Sequence, residues 1–231
     1  MNPTVVKLPF QRCSEARGAV VVIDVLRAFS TAAYAFSRGA DVIFPVSTPE
    51  EALSLKKENP DLILMGEEHL FPIPGFDFGN SPADVAAADL EGRQLVQRTS
   101  AGTQGLVSVP ATDMLFATSF VCAKATAAAI KALAVDHVSF IITGTIHGNP
   151  AQEDEACADY ITALLEGEEP DLLPYLIRLT GSHAAKRFLD PTEDCYAPGD
   201  VALCSRVNAF PFAMRAVSME GRLALRMVTP G

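Results

Sequence analysis

The sequence predicts an α/β protein: a three-layer α/β/α arrangement around a largely parallel or mixed sheet, ending in a C-terminal β-hairpin. Three observations lead there. Across residues 19–165, short apolar β-branched runs alternate with Ala-rich helical stretches, the pattern of strands covered by helices. The 231 residues are 49% hydrophobic and 20% charged, which supplies a packed core and gives no compositional case for disorder. The stretch 212–228 carries Glu220-Gly221 near its middle, a turn signal between two strands.

Taken in order, the apolar runs predict strands at 19–25, 41–46, 62–65, 94–98, 113–117 and 137–143, with helices between them. Thr48-Pro49-Glu50-Glu51 opens one helix with a capping hydroxyl, a proline at the first helical position and an acidic residue three after the cap. Ser81-Pro82-Ala83-Asp84 repeats the device with Asp in place of Glu. After 165 the regularity fades into an acidic stretch and short helical pieces. This divides the chain into an α/β core, 1–165, and a smaller C-terminal portion, 166–231, packed on it or continuous with it.

Charge narrows the function classes. Lys plus Arg number 18 and Asp plus Glu 28, a net charge of -10, which repels phosphate backbones and anionic lipid and argues against nucleic-acid or membrane partners. No apolar run is long enough to span a bilayer, and the first residues lack the order of a secretion signal. Cys13, Cys122, Cys157, Cys195 and Cys204 are widely spaced and without a C-x-x-C pair, reading as reduced thiols in a cytoplasmic protein. A homodimer is the expected assembly.

In a parallel sheet, ligands bind beyond the carboxyl ends of the strands. There the sequence places Asp24 with Arg27 after the first run, Gly66-Glu67 after the third, Arg98-Thr99-Ser100-Ala101-Gly102-Thr103 after the fourth, and Gly144 followed by Glu153-Asp154 after the last. Asp24 follows Val20-Val21-Val22-Ile23 and needs a partner at the rim of so buried a strand. It either caps the helix beginning near Ala28, pairs with Arg27, or meets a ligand. Asp24, Glu67 and Asp154 are hard carboxylates from separate strand ends without a His pair, a set that suits Mg2+ better than zinc. The turn Ser100 to Thr103, including Gly102, offers backbone N–H groups to an anion, with Arg27 and Arg98 as charged donors or, alternatively, as salt-bridge partners of nearby carboxylates. The acidic residues from 153 to 171, Asp154 excepted, read as a solvated face. His69, His137, His147 and His183 lack metal spacing, and His147 lies nearest the rim.

Together, Val22-Ile23-Asp24-Val25-Leu26-Arg27-Ala28, Gly75-Phe76-Asp77-Phe78-Gly79-Asn80-Ser81-Pro82, the Arg98 to Thr103 turn and Glu153-Asp154-x-x-Cys157-Ala158 resemble the 2-phosphosulfolactate phosphatase family over about residues 19–165. The resemblance implies an α/β/α enzyme that uses Mg2+ to hydrolyse 2-phospho-3-sulfolactate, a small anionic phosphorylated acid, to 3-sulfolactate and phosphate. It implies catalytic roles for Asp24, Arg27 and Asp154. Substrate contacts would come from Arg27, Asp77, Asn80, Arg98, Ser100, Gly102 and Thr103, and metal ligation from Asp24, Glu67 and Asp154. The chain departs from the family pattern at Glu68-His69-Leu70 and at Ala101, where a basic group and an amide are replaced. Water is the simplest attacking group. A covalent Asp24, as in haloacid-dehalogenase-type phosphatases, would call for a second Asp where this chain has Leu26. The alternatives are a non-catalytic anion- or metabolite-binding protein that keeps the fold, and a phosphatase of a different small phosphoester.

Overall fold

The computed structural model describes residues 2–148 and 150–230. Ten strands form one mixed sheet in the order β1-β8-β2-β7-β9-β10-β3-β6-β4-β5. They are β1 Thr4–Pro9, β2 Ala19–Ile23, β3 Val42–Pro45, β4 Ile63–Glu68, β5 Phe71–Pro72, β6 Gln94–Arg98, β7 Leu115–Thr118, β8 His137–Ile142, β9 Ala213–Met219 and β10 Arg222–Val228. The six runs read from the sequence are all present, and so is the closing hairpin. β1 and β5 were not anticipated. β1, at the sheet edge, exposes Thr4, Val6 and Lys7 and buries only Leu8, and Lys7 interrupts the apolar run that would signal it.

β2 shows why the interior strands are apolar without interruption. Val20 and Val22 pack toward one face, and Ala19, Val21 and Ile23 toward the other. Helices cover both faces. On the first lies α1, Ala28–Ser37, buried from Ala28 to Phe36 because its Ala and Phe residues are apolar around the whole circumference. α3, Pro82–Ala86, and α4, Gly102–Ser108, join it there. Against the other face pack α5, Ala123–Ala132, and α6, Gln152–Glu166. α7, Leu173–Thr180, α8, His183–Leu189, and α9, Pro198–Cys204, continue that layer. α2, Pro49–Glu58, closes a smaller cluster with Val46, Leu64 and Val96, and is capped by Thr48 as predicted.

The hairpin is not an appendage. β9 pairs antiparallel with β7, and β10 pairs antiparallel with β3, so the hairpin joins a parallel block β1-β8-β2-β7 to a second parallel block β3-β6-β4. The pairing senses make the two blocks run in opposite directions. Their carboxyl ends meet nonetheless: Gly102 after β6 packs directly on Asp24 after β2. The helices that follow these strands bring the ends together: α1, after β2, and α4, after β6, pack against one another on the same face of the sheet.

Leu225, fully buried in the first core cluster and paired with both Ala216 and Ile43, sits at this junction. Leu225→Ala is expected to destabilise the whole protein by about 2–5 kcal/mol, measured as a lower urea midpoint in a single cooperative transition. A separate early transition confined to one block would contradict the hairpin's joining role.

Candidate active site

The end of β2 delivers Asp24 into a cavity of about 310 Å³, a size suited to a small ligand. Asp24 Oδ1 accepts the Ala28 N–H at 3.0 Å, so the carboxylate does cap α1. The Gly102 amide also helps hold its charge. Burial, together with repulsion from Glu67 and Glu153, pushes its pKa up to about 7. Gly102 is required here for close approach: a Cβ at that position would lie 2.6 Å from the Ala28 Cβ and 2.7 Å from Asp24 Oδ2.

Glu67, at the end of β4, also lines the cavity and is only 4% exposed. Its Oε1 accepts the Ser100 N–H at 2.6 Å, and its Oε2 accepts the Leu70 N–H at 2.7 Å and the Ser100 hydroxyl at 3.0 Å. The β4–β5 turn that provides the Leu70 N–H runs through left-handed His69 and Leu70, with φ of 52° and 73°, strained backbone of the kind that collects at ligand sites.

Asp154 departs from the expected triad. Its Oδ1 accepts the Val25 N–H and its Oδ2 the Gly144 N–H, both at 2.9 Å, so both oxygens tie the first turn of α6 to the ends of β2 and β8. Burial, with Glu153 and Asp24 nearby, raises its pKa well above the usual carboxylate range. Asp154 does not line the cavity; its neighbour Glu153 does. The solvated face read for Glu153 is therefore corrected. It is 4% exposed, and its Oε2 is buried without a hydrogen-bond partner. Burial and then Glu155 raise its pKa, against the Ser182 hydroxyl, which lowers it. The signal lay in adjacency: Glu153 and Asp154 both fall in the first turn of a helix that follows a strand, so one can anchor the turn while the other faces the ligand.

Arg27 lines the cavity but does not pair with Asp24. Its Nη1 donates to Asp200 Oδ2 at 2.6 Å, its guanidinium lies 4.5 Å from the centroid of Phe188, and its Nε has no partner. Asp200, on α9 and 1% exposed, also accepts the Ser81 hydroxyl at 2.7 Å and the Ala83 N–H at 3.1 Å. Sequence reading missed Asp200 because it stands 173 residues from Arg27 in a stretch without a motif. Asn80 lines the cavity too, with Oδ1 buried and unpartnered.

Other expected substrate contacts are occupied elsewhere. Asp77 accepts the Leu64 N–H and the Lys56 ammonium, which fastens its loop to β4 outside the cavity. Arg98 donates to the Glu67 carbonyl and pairs with Glu68 at 2.9 Å, so it braces the β4–β5 turn. Thr103 is fully buried and closes the turn on Thr99. The Ser100 and Gly102 amides serve Glu67 and Asp24, and the Thr103 amide serves Thr99, so this loop grips the protein's own groups. Ser100 and Ala101 do line the cavity. The side chain of His147 lies outside the described residues.

Fold and cavity together define an α/β enzyme whose buried acidic site sits where strand ends from two parallel blocks converge. The family model for 2-phosphosulpholactate phosphatase matches residues 6–214. The chain is 34% identical over 205 residues, 88% of each chain, to a probable 2-phosphosulfolactate phosphatase of Bacillus subtilis (strain 168). It is 41% identical over 219 residues, 90% of each chain, to a protein of the same description from Carboxydothermus hydrogenoformans. The chain belongs to the 2-phosphosulfolactate phosphatase family and is a phosphoric monoester hydrolase.

Two outcomes follow from this geometry. Gly102→Ala is expected to displace Asp24 and lower turnover by tenfold or more while the protein still unfolds cooperatively, checked by kinetics beside a thermal melt. Because the Asp24 pKa is raised on folding to about 7, the native state binds the extra proton between roughly pH 4 and 7, and stability falls as pH rises through that window. In EDTA, Asp24→Asn is expected to flatten the decline in stability between pH 5 and 8, a decline worth on the order of 3 kcal/mol from this group, read as melting temperature against pH.

Proposed function

We propose that the enzyme hydrolyses the phosphate ester of a sulfonated 2-hydroxy acid, 2-phospho-3-sulfolactate, to 3-sulfolactate and phosphate with the help of Mg2+. The observation that carries this is the pair of buried carboxylates, Asp24 and Glu153, facing one small cavity with Glu153 Oε2 left without a partner. Like charges so placed call for a counter-ion.

The donor set fits a hard divalent cation that keeps much of its water. Among the described residues, no three His, Cys, Asp or Glu side chains gather into a ready-made cage. Mg2+ is commonly bound through one or two carboxylates plus a substrate phosphate. Asp24 and Glu153 would hold it, in place of the Asp24, Glu67 and Asp154 set, because Glu67 accepts three hydrogen bonds and Asp154 does not line the cavity. When bound, the ion would neutralise charge on the phosphoryl oxygens.

The chain's own part is positioning and charge. Arg27 is locked by Asp200 and Phe188, so its Nε–H would donate to a phosphoryl oxygen from a fixed direction at little reorganisation cost. Asn80 would orient the ester from the neighbouring wall. Leu26, Leu70 and Phe188 line the cavity with apolar surface and limit water around the reacting group. Phosphoryl transfer through a loose transition state asks for little covalent assistance, and water is the attacking group. We further propose a homodimer in a reducing cytoplasm, consistent with five free cysteines. Among the described residues no helix is long and apolar enough to cross a membrane.

Purified protein with Mg2+ and 2-phospho-3-sulfolactate is expected to release phosphate. EDTA should abolish the release, and Asp24→Asn or Glu153→Gln should lower kcat by 100-fold or more. Absence of phosphate release from this ester and from a panel of other hydroxy-acid phosphates would refute the substrate assignment.

A further inference from the structure

The cavity has an acidic floor and a basic mouth. Asp24, Glu67 and Glu153 are buried at its floor, whereas His183 and Arg187 of α8 stand at its solvent side, four residues apart and so on one helix face. An ester carrying a second strong-acid group cannot direct that group toward three carboxylates, so it needs a cation at the mouth.

Two guanidiniums line the cavity, and energetics separate them. The Arg27–Asp200 pair is 8% and 1% exposed at 2.6 Å, and removing one partner of so buried a pair leaves an uncompensated buried charge. Arg27 cannot turn to a new anion. Arg187 pairs with Glu193 at 3.0 Å with both side chains nearly two-fifths exposed, and solvent screening leaves such a surface pair weak. Arg187 is free to exchange Glu193 for a ligand. Glu193 itself does not line the cavity.

We propose that Arg187 is the specificity-determining residue that binds the sulfonate of the substrate, with Glu193 as an internal competitor for its guanidinium. This rests on the proposed substrate. The planar fork of Arg187 suits a group that presents several oxygens at once, and His183 adds a second polar group on the same face.

The test compares 2-phospho-3-sulfolactate with 2-phospholactate, which keeps the phosphate and carboxylate but lacks the sulfonate. Arg187→Gln should raise KM for the sulfonated ester at least tenfold more than for the other, with kcat less affected. Glu193→Gln should move KM for the sulfonated ester the opposite way, downward by about two- to fivefold. A merely structural role for the pair would shift both variants in the same direction. Calorimetry with 3-sulfolactate on wild type and both variants gives a readout without turnover. If wild type binds 3-sulfolactate in an Arg187-dependent manner yet hydrolyses neither ester, the proposed reaction fails and the subsite stands. Equal effects of Arg187→Gln on both esters, weaker binding in Glu193→Gln, or no binding of 3-sulfolactate by wild type would overturn the subsite.

Discussion

Burial of negative charge where strands end is the constraint around which this molecule is arranged. Four carboxylates, Asp24, Glu67, Glu153 and Asp154, are each less than a tenth exposed, close to a cavity in a protein of net charge -10. Each must be compensated or neutralised. Backbone amides do most of this work: Ala28 for Asp24, Ser100 and Leu70 for Glu67, Val25 and Gly144 for Asp154. Loop conformations follow from that demand. The tight approach at Gly102, the left-handed His69 and Leu70, and the Thr99–Thr103 turn all bring N–H groups or close packing to a carboxylate or its support.

The C-terminal third completes the site. Its hairpin supplies the two strands that join oppositely directed parallel blocks. Its helices supply Asp200 and Phe188, which hold Arg27, and Arg187 at the mouth. Ser81 and Ala83, at the start of α3, bind the same Asp200 carboxylate, so the Pro/Gly loop and the C-terminal helices are tied through one buried group. Chain-distant elements thus meet at a single ion pair.

Charge is graded through the cavity. The buried groups are three carboxylates and one immobilised guanidinium, and the part-exposed one is a loosely paired guanidinium. Exposure controls the strength of each interaction, because a pair in contact with water is screened and one inside the protein is screened much less. The same residue type therefore serves as a fixed support at Arg27 and as an exchangeable contact at Arg187.

By itself the sequence determined the strand and helix alternation, the closing hairpin, the helix caps at Thr48 and Ser81, and the rim positions of Asp24, Glu67 and Arg27. All of these are local patterns, set by side-chain periodicity and by which residues tolerate a chain turn. It also contained the motifs that mark the family. Only the tertiary structure decided that β9 and β10 lie mid-sheet, that Glu153 rather than Asp154 faces the cavity, that Arg98 and Asp77 are braces, and that Asp200 claims Arg27. Those outcomes depend on which donors the folded chain brings to each buried oxygen, from 13 residues away at Asp77 to 173 at Asp200, and on how the strands are ordered across the sheet. Neither quantity is written in any local stretch of the chain.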